Sequence, residues 1–117
     1  MNELAVVVLC TAPAVAPAGS SRLGADELAR QLVQEGLCAC VNVLPGVRSH
    51  FVWQGRLDTA DEQLLVVKTT RAAAERLRER LLALHPYEVP EVLELPVVGG
   101  APDYLRWLVG AVAPGRS

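Results

Sequence analysis

The order of elements in this chain predicts an α+β sandwich with two helices laid on one face of an antiparallel sheet. Three observations predict it. Apolar β-branched runs alternate with amphipathic stretches in the order strand, helix, strand, strand, helix, strand, helix. The two middle strands are joined by a "QG" turn, which folds one back on the other as a hairpin. The runs "AVVVL" and "LLVV" are apolar on both faces, where a sheet with one wet face would alternate. The helices of one chain can cover only one of those faces, so a second copy is expected to cover the other.

The first strand is expected over 4–12, an apolar run closed by "TAP". Residues 13–24, "PAVAPAGSSRLG", are a Pro/Ala/Gly/Ser surface loop. In "ADELARQLVQEG", Leu28, Ala29, Leu32 and Val33 fall on one helical face and Gly36 supplies the stop. "LCACVNVLPGVRSHFVWQGRL" reads as a long strand bent at Pro45–Gly46, turning at 54–55 into "DEQLLVVKTT". Thr70 stands where an N-cap is wanted for "RAAAERLRERLLAL", whose buried stripe is Ala74, Leu77, Leu81 and Leu84. "PEVLELPVV" is the fourth strand, and Pro102 opens a last helix in "GGAPDYLRWLVGAV". The pattern is the split βαβ of a ferredoxin-like sandwich, βαββαβ with an added C-terminal helix.

Composition narrows the function. The 117 residues suit one domain, expected over 1–117, with room for a real core. Hydrophobic residues are 51% of the chain but aromatics only 4%, so the core is Leu, Val and Ala. A net charge of -2 excludes a nucleic-acid binder that relies on a basic face. The mean hydropathy of +0.28 is high for a small soluble monomer. It calls for apolar surface buried against another chain or a membrane, and no run approaches the ~20 apolar residues of a spanning helix. The N-terminus imitates a signal peptide, but it carries Glu3, lacks an early basic residue and is interrupted by Pro13. Three cysteines, an odd number, fit reduced thiols better than a disulfide framework, so a cytoplasmic protein is expected.

The stretch "LHPYEVPE" concentrates side chains with chemistry. Pro86 and Pro90 restrict His85 and Val89 to extended backbone, so His85, Tyr87 and Glu91 ride on a stiff segment between helix and strand. Two roles are compatible with that: a rigid turn in which His85 caps helix carbonyls and Tyr87 packs on a neighbour, or a ligand site. Cys10 ends the first strand, where a ferredoxin-like sheet brings it near the ends of the neighbouring strands, and a small buried hydrophobe is its simplest role. Cys38 and Cys40 stand at i and i+2, so on a strand both face one way, for packing first and a soft ion second. Lys68, the only lysine, precedes a helix start. It can hold an anion there or pair with Glu88 or Glu91. Asp58, Asp61 and Glu62 lack the spacing and glycine of a calcium loop and are expected to be a solvated part of the hairpin.

The blocks "VVVLCTAP", "ACVNVLPGVRSHFVWQG", "LLVVKTT", "LHPYEVPEVLELPV" and "DYLRWL" together resemble the CutA divalent-cation tolerance family over about residues 5–110. The resemblance implies a small cytoplasmic homotrimer with PII-like architecture, linked to copper tolerance and Cu(II) binding, with no organic cofactor and no established reaction. It also implies Cys10 and His85 as metal ligands, a thiolate and an imidazole that suit copper better than magnesium or calcium. Leu84 stands where a two-histidine variant of the family has its second histidine. Lys68, Tyr87, Glu91 and Trp53 are the further cleft residues, with Lys68, Tyr87 and Glu91 serving the alternative, a PII-like sensor of a small anion. Trp53 matches the family's "WEG", with Gln54 in place of the acid, and is expected to reach a neighbouring subunit. The loop 13–24 exceeds the family pattern by about seven residues, as an exposed loop tolerates, and has Ala14 for an acid; placed beside Cys10, it is expected to lid or alter the cleft. Cys10 with His85 has no oxyanion donor, phosphate loop or third orienting group, so no catalysis is expected.

Overall fold

The computed structural model describes residues 4–114; residues 1–3 and the 115–117 end of the tail lie outside the described residues. Its elements are β1 (Ala5–Ala12), α1 (Ala25–Gln34), β2 (Cys40–Trp53), β3 (Arg56–Thr70), α2 (Ala74–Leu84), β4 (Val92–Pro96) and α3 (Pro102–Ala111). The four strands lie in the order β2-β3-β1-β4, with every neighbouring pair antiparallel. This is the ferredoxin-like α+β arrangement that the element order predicts. Among the described residues no helix is long and apolar enough to cross a membrane.

Period-two alternation decides which residues meet the helices. Val8, Cys10 and Ala12 of β1 and Leu65 and Val67 of β3 are buried against Ala25, Leu28 and Leu32 of α1 and Leu77 and Leu81 of α2. The intervening residues, Val7, Leu9, Leu64 and Val66, point to the opposite face and are only half-buried. On β4, Leu93 and Leu95 are 55% and 45% exposed. The chain therefore leaves one apolar sheet face uncovered, as the two-sided apolar runs require.

Helix α1 stops as its glycine predicts. Gly36 takes φ +73°, its N–H bonds the Val33 carbonyl at 3.0 Å, and the Leu37 N–H bonds the Leu32 carbonyl at 3.1 Å. That pair of bonds is the Schellman arrangement. The buried face of α1 is Ala25, Leu28, Ala29 and Leu32, whereas Val33, expected on it, is 43% exposed. One further step of about 100° carries Val33 onto the flank of the stripe, beside Val41 and Val43.

The hairpin turns at Gln54 and Gly55, both with positive φ, as a two-residue turn matched to strand twist needs. The bend at Pro45–Gly46 is a register shift between Leu44 and Val47, with Gly46 at φ +79°. β1 ends at Ala12 opposite Gln63. Beyond that point β2 and β3 project as a two-stranded arm, on which Val52 and Leu57 are exposed. Thr70 ends β3 instead of opening α2. Residues 71–73 form a turn whose Ala73 N–H donates to Thr70 Oγ1 at 3.2 Å, and the helix begins at Ala74. The hydroxyl caps as expected, but it caps the turn.

Candidate functional site: an acidic cleft over a buried histidine

Pro86 does what its place implies. His85, the C-cap of α2, is extended at φ −72°, ψ 139°, and the chain leaves the helix toward β4. His85 is fully buried. Its imidazole Nε2 lies 2.7 Å from the Thr11 carbonyl, and its Nδ1 is 3.0 Å from the Tyr87 N–H. Because an N–H must donate to Nδ1, that nitrogen is unprotonated and Nε2 carries the hydrogen given to Thr11. Cys10, also fully buried, directs its Sγ at the same Thr11 carbonyl, 3.7 Å away. Two residues 75 positions apart, 85 less 10, thus meet on one peptide oxygen.

Both groups are held neutral. Burial pushes the Cys10 thiol up to about 12, and the charges of Glu91 and Glu62 add to it. Burial lowers the His85 pKa, against the Thr11 carbonyl and the Glu62 charge, which favour the cation. A metal needs a thiolate and a free imidazole lone pair. Here the lone pair is occupied by Tyr87 and the thiol is in its least acidic setting, so in this arrangement the pair does not fit a metal ion. Among the described residues no three His, Cys, Asp or Glu side chains converge to hold one.

Above this buried layer lies an open cleft of about 670 Å³, lined on its floor by Thr11, Ser49 and Glu62 and on its sides by Tyr87, Glu88, Glu91, Asp58, His50 and the hairpin aromatics Phe51 and Trp53. Tyr87 stacks obliquely on His85, ring centroids 4.8 Å apart. Burial, then its hydrogen bond to the Glu62 carboxylate, hold the Tyr87 phenol well above its usual pKa. Glu62 is 7% exposed and accepts from Ser49 Oγ at 2.6 Å. It is the correction to the solvated acidic stretch expected from sequence. Its partners are far along the chain, Ser49 on β2 and Tyr87 after α2, so nothing local distinguishes it from Asp58 and Asp61. Ser49, Thr11 and His50 also line the cleft without having been singled out. The shift in register after Gly46, which lets β2 swing beside Glu62, is the one local signal for them.

Tyr87, Glu91 and Trp53 therefore share the cleft. Lys68 does not: it lies six positions beyond Glu62 on β3, about 20 Å at the rise of an extended strand. It pairs with neither Glu88 nor Glu91. Its Nζ donates to Asn42 Oδ1 and lies 3.7 Å from Cys40 Sγ. Cys38 and Cys40 do not face one way either, because β2 begins only at Cys40. Cys38 is in the core while Cys40 is half-buried beside Lys68. Residues 13–24 contribute nothing to the cleft lining.

Fold and cleft together define a small ferredoxin-like α+β protein with an acidic pocket at one end of its sheet. The family model for the CutA1 divalent ion tolerance protein matches residues 6–111, and the chain belongs to that family. It is 47% identical over 102 residues to the divalent-cation tolerance protein CutA of Thermus thermophilus, covering 87% of this chain and 92% of that one. To the chloroplastic protein CutA of Arabidopsis thaliana it is 42% identical over 103 residues, which is 88% of this chain and 53% of the relative. The chain thus spans about half the length of that relative. Among solved structures, a PII-like protein CutA from a Nostoc species in apo form superposes with a TM-score of 0.79 at 31% identity, over 92% of this chain and 97% of that one.

Proposed function

We propose that this protein serves divalent-cation tolerance as a cytoplasmic, non-catalytic homotrimer that takes a divalent cation, Cu(II) included, into the acidic cleft. The observation that carries this is the lining. Asp58, Glu62, Glu88 and Glu91 bring four carboxylates to it with His50, and among the described residues no lysine or arginine lines it. A pocket so lined favours cations; because no three of these side chains converge on one point among the described residues of a single chain, a bound Cu(II) would draw on imidazole or carboxylate donors from a second copy as well. The names of the relatives point the same way. The alternative, a PII-like sensor of a small anion, loses its cation, since Lys68 is remote from Tyr87 and Glu91.

In this proposal Cys10 and His85 are the buried layer that supports the cleft floor from beneath, and a neighbouring subunit on the open sheet face completes the ligand set. The two-stranded arm also supports assembly, because a lone ribbon is marginal in water until something covers it.

Calorimetric titration of metal-free protein with Cu(II), Zn(II) and Mg(II) tests it, beside the His50→Ala/Glu91→Gln and Cys10→Ala variants. Binding that weakens at least tenfold, about 1.4 kcal/mol, in the cleft variant and survives Cys10→Ala supports the cleft. Loss in Cys10→Ala alone returns the ligand role to the buried pair. No binding by the unaltered protein overturns the proposal.

A further inference from the structure

The connection 13–24 closes on itself and then reaches for α2. The Pro13 carbonyl accepts from the Ala25 N–H at 2.9 Å. Gly24 passes so close to Ala14 that an added Cβ would stand 2.3 Å from its carbonyl oxygen. From this closed base the last residues extend to the C-terminal end of α2. The Leu23 N–H donates to the Leu84 carbonyl at 3.0 Å. Arg22 Nη1 donates to the His85 carbonyl at 3.0 Å and reaches the Leu82 carbonyl at 3.4 Å. A helix C-terminus leaves its last carbonyls without intrahelical donors, and a guanidinium there meets both the orphan oxygens and the negative end of the helix dipole.

His85 is the junction that this contact completes. Its N–H bonds the Leu81 carbonyl at 2.9 Å, Nε2 bonds Thr11, Nδ1 accepts from Tyr87, and its carbonyl is taken by Arg22. Two residues further on, Tyr87 lines the cleft together with Glu62. Hydrogen bonds therefore link an exposed arginine on a surface loop, through His85, to the backbone of a residue that lines the cleft.

We propose that Arg22 is a positioning residue for the cleft. By holding the His85 carbonyl it fixes the peptides that aim the Tyr87 N–H at the imidazole and carry the Tyr87 side chain into the cleft. The connection thus acts on the cleft from behind and not as a lid over it. The consequence for cation binding rests on the cleft's being the binding site; the positioning of Tyr87 does not.

The test compares unaltered protein with Arg22→Ala and Arg22→Lys by amide hydrogen exchange and imidazole nitrogen shifts in the metal-free state, then by Cu(II) titration. In Arg22→Ala the Tyr87 amide is expected to exchange roughly tenfold faster, the equivalent of one net hydrogen bond, while the Leu32 and Leu81 amides keep their rates. The His85 Nδ1 resonance should move with Tyr87, and Cu(II) affinity should fall severalfold. Arg22→Lys should recover part of each effect, since an ammonium also donates to a carbonyl. An unchanged Tyr87 amide overturns the proposal, as does acceleration of all amides in proportion, which would mark Arg22 as a general stabiliser. If Tyr87 responds but the unaltered protein takes no Cu(II), the positioning stands and the proposed function falls.

Discussion

Replacing His85 by alanine separates an architectural histidine from a metal ligand. The substitution removes the acceptor of the part-buried Tyr87 N–H and the donor to the buried Thr11 carbonyl. Each buried group left without a partner costs about 1–3 kcal/mol. Deleting the ring from a fully buried position adds a cavity, about 2 kcal/mol or more where the walls do not collapse. With the part-buried Tyr87 N–H counted at the low end, about 1 kcal/mol, these put the loss at about 4–6 kcal/mol, a large share of the ~5–15 kcal/mol that holds a domain folded. The assay is urea unfolding of chelator-treated protein at one fixed protein concentration, because assembly would make stability concentration-dependent. His85→Asn, which keeps a polar group in the site, should lose less. A loss below about 1 kcal/mol for His85→Ala without metal would refute the reasoning, since only a surface or ligand role has so small a cost.

Three further outcomes are expected. Gly36→Ala places a side chain at φ +73° with its Cβ 2.7 Å from Ala113 Cβ; the backbone alone costs about 1 kcal/mol, and adding Ala113→Gly should recover the collision but not the backbone share in thermal melts. The buried Cys38 thiol is held up to about 12 from 9.0, so the folded chain keeps a proton that the unfolded chain loses above pH 9. Stability is full below about 9 and falls as pH rises toward 12; at about pH 10.5 the loss is about 2 kcal/mol per such thiol, and Cys38→Ala should flatten that slope in denaturant melts. Val66→Asp puts a charge on the uncovered sheet face and should reduce the mass in light scattering to that of a single chain with the circular dichroism of the fold retained; an unchanged mass would place the subunit contact elsewhere.

Much of the fold was legible because its signals are local. The stop at Gly36, the bend at Pro45–Gly46, the turn at Gln54–Gly55 and the break at Pro86 are each a property of one or two residues and their allowed φ and ψ. Val33 and Thr70 mark where that logic weakens. A residue one step off a helical stripe, or one hydroxyl at a strand end, is placed by what packs or bonds around it. The candidate site was legible only in part. Within one chain Tyr87, Glu91 and Trp53 line one cleft, Glu62 is buried there instead of solvated, and Lys68 lies beside Asn42 and Cys40 away from it.

By itself the sequence determined the kind and order of the elements, the stiffness of the segment around His85, and the apolar character of both sheet faces. Periodicity, proline and glycine act within a few residues, and two-sided apolar runs state their burial outright. Only the tertiary structure decided what those elements bring together. It set Cys10 and His85 on one carbonyl, put Ser49 and Tyr87 around Glu62, and moved Lys68 some 20 Å along its strand from the cleft. It also laid Arg22 on the end of α2. Each of these depends on register and on contacts between residues distant in the chain, where burial and hydrogen bonding, not composition, decide whether a charge faces water or a partner.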